Sequence, residues 1–442
     1  MERAFDVVVV GGGLAGLAAA AYLGRAGLRP IVIEKARELG GRGRTTVQAG
    51  FSLNLGAHAL YRKGPAWGVL EELGVAVRGG VPKASGALAL AEGRAHALPG
   101  GLVSLLTTGL LPLAGKLELS RLLATLPGLD AAALAGVPTA AWVDGALKTP
   151  AARAFVRAFV RVSTYAADLE RLSAGAAVAQ LQHAIKHNVL YLDGGWQTLV
   201  DGLRDRAAEA GAVIAPGGGA ARLEARGPGE VRVRLHDGRA ISARAAVLAV
   251  GPQAAAALAP ALPALAAFAG RARPVKIAAL DLGLSKLPRP RVAFGLGTTR
   301  PTYVSVHSAV ARLAPEGAAA VHAMLYEPSG DARADERELE GALDLVQPGW
   351  REHVAYRRFL PAMVAANDLV EASRGGYAGR PGVAVPGATG VFVAGDWVGP
   401  TGMLLDASLA SARRAASECA ALLAREARPA TANARAPEPA LA

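Results

Sequence analysis

A run of β-branched residues from Phe5 to Val10 (FDVVVV) breaks into three consecutive glycines, Gly11, Gly12 and Gly13. The chain then continues as an Ala- and Leu-rich stretch from Leu14 to Ala26. The pattern Gly11-x-Gly13-x-x-Gly16 therefore falls between a buried strand and a helix. There, small residues let the backbone approach a pyrophosphate and the helix N-terminus offers free N–H groups. Gly27 closes the expected helix as its C-terminal cap. Pro30 to Ile33 reads as a second strand ending at Glu34, which lies 18 residues beyond Gly16. A carboxylate there is placed to accept hydrogen bonds from a ribose diol, and it disfavours a 2′-phosphate. The unit predicts a dinucleotide site. NAD and FAD both fit it, and NADP does not.

The rest of the composition narrows the class. The chain has 442 residues, of which 52% are hydrophobic and 19% charged, enough for a large interior shared by two domains. The single cysteine, Cys419, excludes a disulfide framework and cysteine-held zinc or iron–sulfur centres. The net charge of +12 first suggests nucleic acid, but only 8 of the 48 basic residues are lysine and the arginines are scattered without a run. Coding bias toward Ala, Arg and Gly accounts for the charge, and no nucleic-acid partner is expected. The opening apolar run leads straight into the glycine loop rather than into a cleavage site, so a cytoplasmic location is expected.

Two further α/β pieces follow. Gln197 to Ala210 reads as a helix capped by Gly211. Val231–Leu235 and Ile241–Val250 read as strands around an Asp237-Gly238 hairpin signal. Gly390–Ala394 and Met403–Arg425 read as a strand and a long helix. Residues 77–195 are mostly helical by pattern, and 271–364 mix strands with Pro-rich turns. The tail from Arg428 lacks apolar periodicity and is expected to be disordered.

Three stretches beyond the glycine loop resemble the flavoprotein superfamily of phytoene desaturases, protoporphyrinogen oxidases and amine oxidases. LGGRGRT (Leu39–Thr45), followed by FSLNLGAHALY (Phe51–Tyr61), is similar to its second motif, with Asn54 where the family often has Asp. GVFVAGDWVGPTGMLLDASLASARRAA (Gly390–Ala416) is similar to its closing motif. NVLYLDGGWQTLVDGLRDRAAEAGAVI (Asn188–Ile214) resembles the segment re-entering the cofactor domain in desaturases and protoporphyrinogen oxidases. The resemblance implies an α/β fold: a discontinuous Rossmann-type FAD-binding domain (1–76, 195–270 and 365–427) with an inserted mixed α+β substrate domain (77–194 and 271–364). It implies FAD contacts at Gly11, Gly13, Leu14, Ala15, Gly16, Glu34, Lys35, Gly40, Gly41, Arg42, Leu55, Gly56, Ala57, Ala220, Gly395, Asp396, Gly402, Met403 and Leu404. Asp396 would accept from the ribityl hydroxyls, and the helix after it would point its N-terminus at the flavin pyrimidine edge.

Other constellations carry less. His183 and His187 stand four apart on an expected helix, but with no HExxH and no third ligand no metal site is expected. His58, beside the flavin-facing loop, is the one side chain considered for a catalytic role; the flavin itself carries the chemistry. Cys419 is misplaced for a covalent anchor, so the FAD is expected to be noncovalent. Lys276 and Lys286 are candidates for the lysine of amine oxidases, and neither has a specific context. Two stretches are candidates to meet a membrane. Ala95–Gly115 has no formal charge, but Pro99, Pro112 and its glycines make it a poor spanning helix. In residues 150–165, Arg153, Arg157 and Arg161 line one helical face and Phe155, Phe159 and Val162 the other; a substrate-domain helix packed on the core is the favoured reading over a membrane face. The expected activity is oxidation of a carbon–carbon bond in a large apolar molecule, such as an isoprenoid or tetrapyrrole precursor. O2 or a quinone is the expected acceptor, and a peripheral position on the inner face of the membrane is carried as a candidate. The alternatives are an amine oxidase and, less favoured, a lipid-binding protein like the GDP-dissociation inhibitors without FAD.

Overall fold

The computed structural model describes residues 4–227 and 229–427; the tail from Arg428 lies outside them. Four consecutive valines form β1 (Val7–Val10), buried on both sides. It leads into α1 (Leu14–Arg25) and β2 (Pro30–Glu34). Left-handed Gly27 stops α1, and the Leu28 N–H closes onto the Leu23 carbonyl at 3.1 Å, as a Schellman end requires. α2 (Gln197–Glu209), β3 (Val213–Pro216), β4 (Ala245–Leu248), β5 (Val391–Val393) and α3 (Leu404–Ala427) complete the layer. The five strands make one parallel sheet in the order β3-β2-β1-β4-β5. The expected strand Ile241–Val250 divides in two. Ala240–Ala243 pairs antiparallel with Glu230–Leu235, and after Arg244 the chain crosses into the parallel sheet as β4.

A second sheet of seven strands draws on both segments 77–194 and 271–364. Its order is Val354–Ala366, Val275–Leu284, Ala319–Leu325, Thr302–Val306, Phe294–Gly297, Leu88–Ala91 and Arg94–Ala97. The Ala332–Val346 helix packs its apolar face on this sheet. Residues 77–195 hold the expected helices but also the strands Leu88–Ala91, Arg94–Ala97 and Val189–Leu192.

The Pro150–Thr164 helix is amphipathic as its spacing predicts, and its apolar side faces inward. Phe155 and Val156 are buried with Leu119, Leu122 and Val143. Arg157 grips both oxygens of Asp144 at 2.9 Å, and Arg153 donates to the Leu147 carbonyl at 2.7 Å. This helix packs its apolar side on the core and pairs Arg153 and Arg157 with Asp144, as the reading of it as a substrate-domain helix expects. No helix among the described residues is long and apolar enough to cross a membrane.

Candidate active site

A cavity of about 620 Å³ opens where the C-terminal ends of β1, β2, β4 and β5 meet the second sheet. In a parallel sheet this is the edge where loops converge and helix N-termini point. Gly11, Gly13, Leu14, Ala15, Glu34, Lys35, Gly40, Gly41, Arg42, Leu55, Ala57, Gly395, Asp396 and Leu404 of the expected contacts line it, as does His58.

The glycines divide by task. A Cβ on Gly16 would lie 1.9 Å from the Gly11 carbonyl oxygen, so Gly16 lets helix and strand touch rather than facing the cavity. A Cβ on Gly13 or Gly41 would meet nothing closer than 3.8 Å. These two positions border open space. Gly13 caps α1 without a side-chain hydrogen bond and no acid stands in the first turn, so the helix offers its free N–H groups to that space. Glu34 accepts from the Gly12 N–H at 2.7 Å and the Ala36 N–H at 2.9 Å, which fixes the carboxylate beside the cradle with lone pairs to spare.

Arg42 and Asp396, 354 residues apart, form an ion pair of 2.8 Å. Asp396 also accepts from the Asn367 backbone (3.0 Å) and side-chain amide (2.7 Å), and Arg42 donates to the Ala365 carbonyl at 3.0 Å. Burial opposes ionisation of Asp396, but the Arg42 charge and the Asn367 bonds outweigh it and hold the carboxyl below its ordinary range. Asn54 replaces the family's Asp without loss of order. Its side-chain oxygen accepts from Thr45 (2.6 Å) and from the Trp196 N–H (3.0 Å), tying the loop to the start of α2.

Five expected contacts sit off the lining. Besides Gly16, these are Gly56, Gly402, Met403 and Ala220. Gly56 turns its N–H toward Asp281 (3.4 Å), Gly402 presents its carbonyl to Arg380 (2.7 Å), and Met403 is buried among Leu181, Leu369 and Val370. Ala220 opens a strand opposite Leu235, outside the cavity altogether.

Tertiary packing adds Tyr165, Ile277, Met363, Val364 and Asn367 to the walls, none of them marked by a motif, together with Trp196 and Asp406, which lie inside the resembling stretches but were not singled out there. The hydroxyls of Tyr61 and Tyr165 are spent on the carbonyls of Ser163 and Ala57, each within 2.9 Å, so the rings rather than the hydroxyls are available to the cavity. Lys276 is exposed and off the lining; its neighbour Ile277 takes the inward place on the strand. Lys286 is exposed in the turn that follows. Trp397 is buried and donates to the Val250 carbonyl, and Tyr377 packs under Arg380. Cys419 is fully buried in α3, away from the cavity. His183 donates from Nε2 to the Arg62 carbonyl at 2.9 Å, a packing role.

His58 stands edge-on to Trp196 with ring centroids 4.8 Å apart, and its Nδ1 lies 3.1 Å from the Gly56 carbonyl. Burial pushes its pKa down to about 4, so the ring is neutral at physiological pH. Behind this loop lies a buried polar set that the motifs do not mark. Asp281 is opposite His322 on one neighbouring strand and Arg358 on the other. The register therefore brings the carboxylate to 2.7 Å from His322 Nδ1 and 2.6 Å from the Arg358 guanidinium. Arg358 also donates to Thr46 and to the Asn54 carbonyl, so the set braces the loop from Thr45 to Gly56.

The uncapped helix end, the open Gly13–Gly41 cradle, Glu34 and the Asp396 carboxylate fit a dinucleotide laid from β2 toward the second sheet. Comparisons with known proteins agree. An uncharacterised protein of Mycobacterium tuberculosis is 62% identical over 40 residues, which is 9% of this chain and 8% of that protein, so the match spans a small part of the relative's length. The fold is that of cyclohexylamine oxidase from Brevibacterium oxydans (TM-score 0.72, 17% identity, 95% of this chain and 100% of that one). A candidate protoporphyrinogen oxidase from Exiguobacterium shares it too (TM-score 0.66, 19% identity, 95% and 100%). The family model described as flavin containing amine oxidoreductase matches residues 14–280, over half of the chain, and the protein belongs to that family.

Proposed function

We propose that the chain oxidises a carbon–carbon bond of a large apolar molecule, of isoprenoid or tetrapyrrole-precursor type. The observation that carries this reading is the wall of the cavity beyond the glycine cradle. Leu55, Ala57, Leu60, Ile277, Met363, Val364 and Leu405 face it, and Lys35 at the opposite, Glu34 end is the only lysine on the lining. Such a surface recognises shape and apolar area rather than charge.

In this reading the chain divides into a discontinuous Rossmann-type FAD unit (1–76, 195–270 and 365–427) and an inserted α+β substrate unit (77–194 and 271–364). Gly13, Gly41 and the α1 N-terminus hold the pyrophosphate, Glu34 the ribose, and Asp396, steadied by Arg42 and Asn367, the ribityl chain. Bound FAD, held without a covalent link, would supply the two-electron acceptor, with O2 or a quinone as the final electron sink. The chain's own residues position and enclose. The Leu55–His58 loop and Ile277 set the wall against which the substrate lies. Tyr61 and Tyr165 offer ring faces, and neutral His58 adds no charge to an apolar site.

A second reading, amine oxidation, is supported by the likeness to cyclohexylamine oxidase and by those same two aromatic rings. Anaerobic photometry of the holoprotein against polyenes, porphyrinogens and amines separates the two. Bleaching by a polyene or porphyrinogen supports the first. Rapid bleaching by a simple primary amine, with none by the others, hands the function to the second.

A further inference from the structure

Five large apolar side chains crowd one corner of the second unit: Leu102, Val103 and Leu106 on the Leu102–Thr107 helix, and Leu113 and Leu117 on the Leu113–Thr125 helix. Each is between 52 and 75% exposed. Isolated exposed leucines are ordinary, but five within sixteen positions of one helical pair form a crown. Its polar groups are already engaged. Ser104 caps the first helix on Gly101, Thr107 returns its hydroxyl to the Val103 carbonyl, and the Lys116 ammonium donates to the Leu106 carbonyl at 2.6 Å.

The charges around it that lack an ion pair or a backbone partner are positive. No carboxylate occurs between Glu92 and Glu118. Glu118 is turned onto the backbone N–H groups of Lys148 and Thr149, at 3.1 and 2.9 Å. Lys116 and Arg121 on the second helix, and Lys83 beside the Ala84 that packs on Gly100, make no ion pair among the described residues. Arg153 and Arg157 of the neighbouring Pro150–Thr164 helix, by contrast, share Asp144 as their partner.

We propose that this helical crown docks on an anionic lipid bilayer, its leucines entering the headgroup–acyl boundary and the unpaired cations meeting lipid phosphates. Apolar burial supplies the attachment and the cations select the surface. The proposal goes beyond the substrate reading and stands equally if the substrate is an amine.

The test uses the full-length holoprotein and vesicles of phosphatidylcholine, with or without phosphatidylglycerol. Co-sedimentation is expected with the mixed vesicles, weaker with phosphatidylcholine alone and weakened by salt. Combining Leu106→Ser with Leu113→Ser is expected to lower partitioning about tenfold or more, with flavin absorbance and melting temperature unchanged. An environment-sensitive dye on Leu113→Cys should shift to the blue on vesicle addition. The same dye on Val47→Cys, 67% exposed in another part of the fold, should not, and buried Cys419 takes no label. Unshifted dye at position 113, equal sedimentation of the double variant, or indifference to lipid charge overturns the proposal. A concentration-dependent dimer that the double variant abolishes, without vesicle binding, overturns it in favour of a second copy of the chain.

Discussion

Replacing Asp396 by alanine tests the cofactor assignment and the fold at one atom. The carboxylate is 2% exposed and accepts three hydrogen bonds, one of them from the Arg42 guanidinium. Removing one member of a fully buried pair costs about 3–5 kcal/mol. The Arg42 side chain, however, is 43% exposed toward the cavity and water can reclaim it. Discounting for that solvation leaves about 2–3 kcal/mol in the cofactor-free protein, most of it from the stranded Asn367 amide groups. A further charge-assisted bond to the ribityl chain, worth about 1.5–3 kcal/mol, is lost when FAD binds, so its dissociation constant is expected to rise tenfold or more. The carboxyl's folded pKa is depressed. Its stabilisation is therefore present above the unfolded value of about 4 and is lost as pH falls through the lower folded value. Melting curves of the cofactor-free proteins should differ by a constant amount from pH 8 to about pH 5, then converge on further acidification. Flavin titration by fluorescence quenching reads the second quantity. An Asp396→Ala protein that purifies with full flavin, binds it with unchanged affinity and melts with the parent would refute the reasoning.

The other expectations use the same geometry. Gly13→Ala should leave the cofactor-free fold intact and weaken FAD binding, whereas Gly16→Ala, which drives a Cβ into the Gly11 carbonyl, should impair folding itself; equal melting temperatures for the two would contradict the division of tasks. His58, with its pKa lowered from 6.5 to about 4, takes up its proton later than in the unfolded chain, so stability should fall as pH drops between those values and less so in His58→Asn, as pH-dependent melting would show. Asp406, raised to about 6 by burial, contributes stability that is present below the unfolded value and lost as pH rises through about 6; Asp406→Asn should raise stability by about 2 kcal/mol at pH 8 and leave it unchanged at pH 4. Acid precipitation should release all the yellow colour to the supernatant; flavin retained in the pellet would reveal a covalent link.

The glycine-loop end of the cavity was legible from residue order alone, because its chemistry is local. A strand, a glycine turn, a helix N-terminus and Glu34 lie within one βαβ unit, and each residue type is required by the step it performs within a few residues of its neighbours. The Gly390–Ala416 motif was legible for the same reason. The rest of the cavity depends on partners far apart in the chain. Asp281 gains its meaning from His322, 41 residues on, and Arg358, 77 residues on, through the register of three strands that no short pattern encodes. Trp196, Tyr165 and Asn367 reach the cavity from three separate elements. Periodicity marked the Pro150–Thr164 helix as amphipathic, but only packing showed that Phe155 and Val156 face the core and that Asp144 waits for the arginines. Pattern gives a helix two faces; which one meets water depends on what else the chain folds against it.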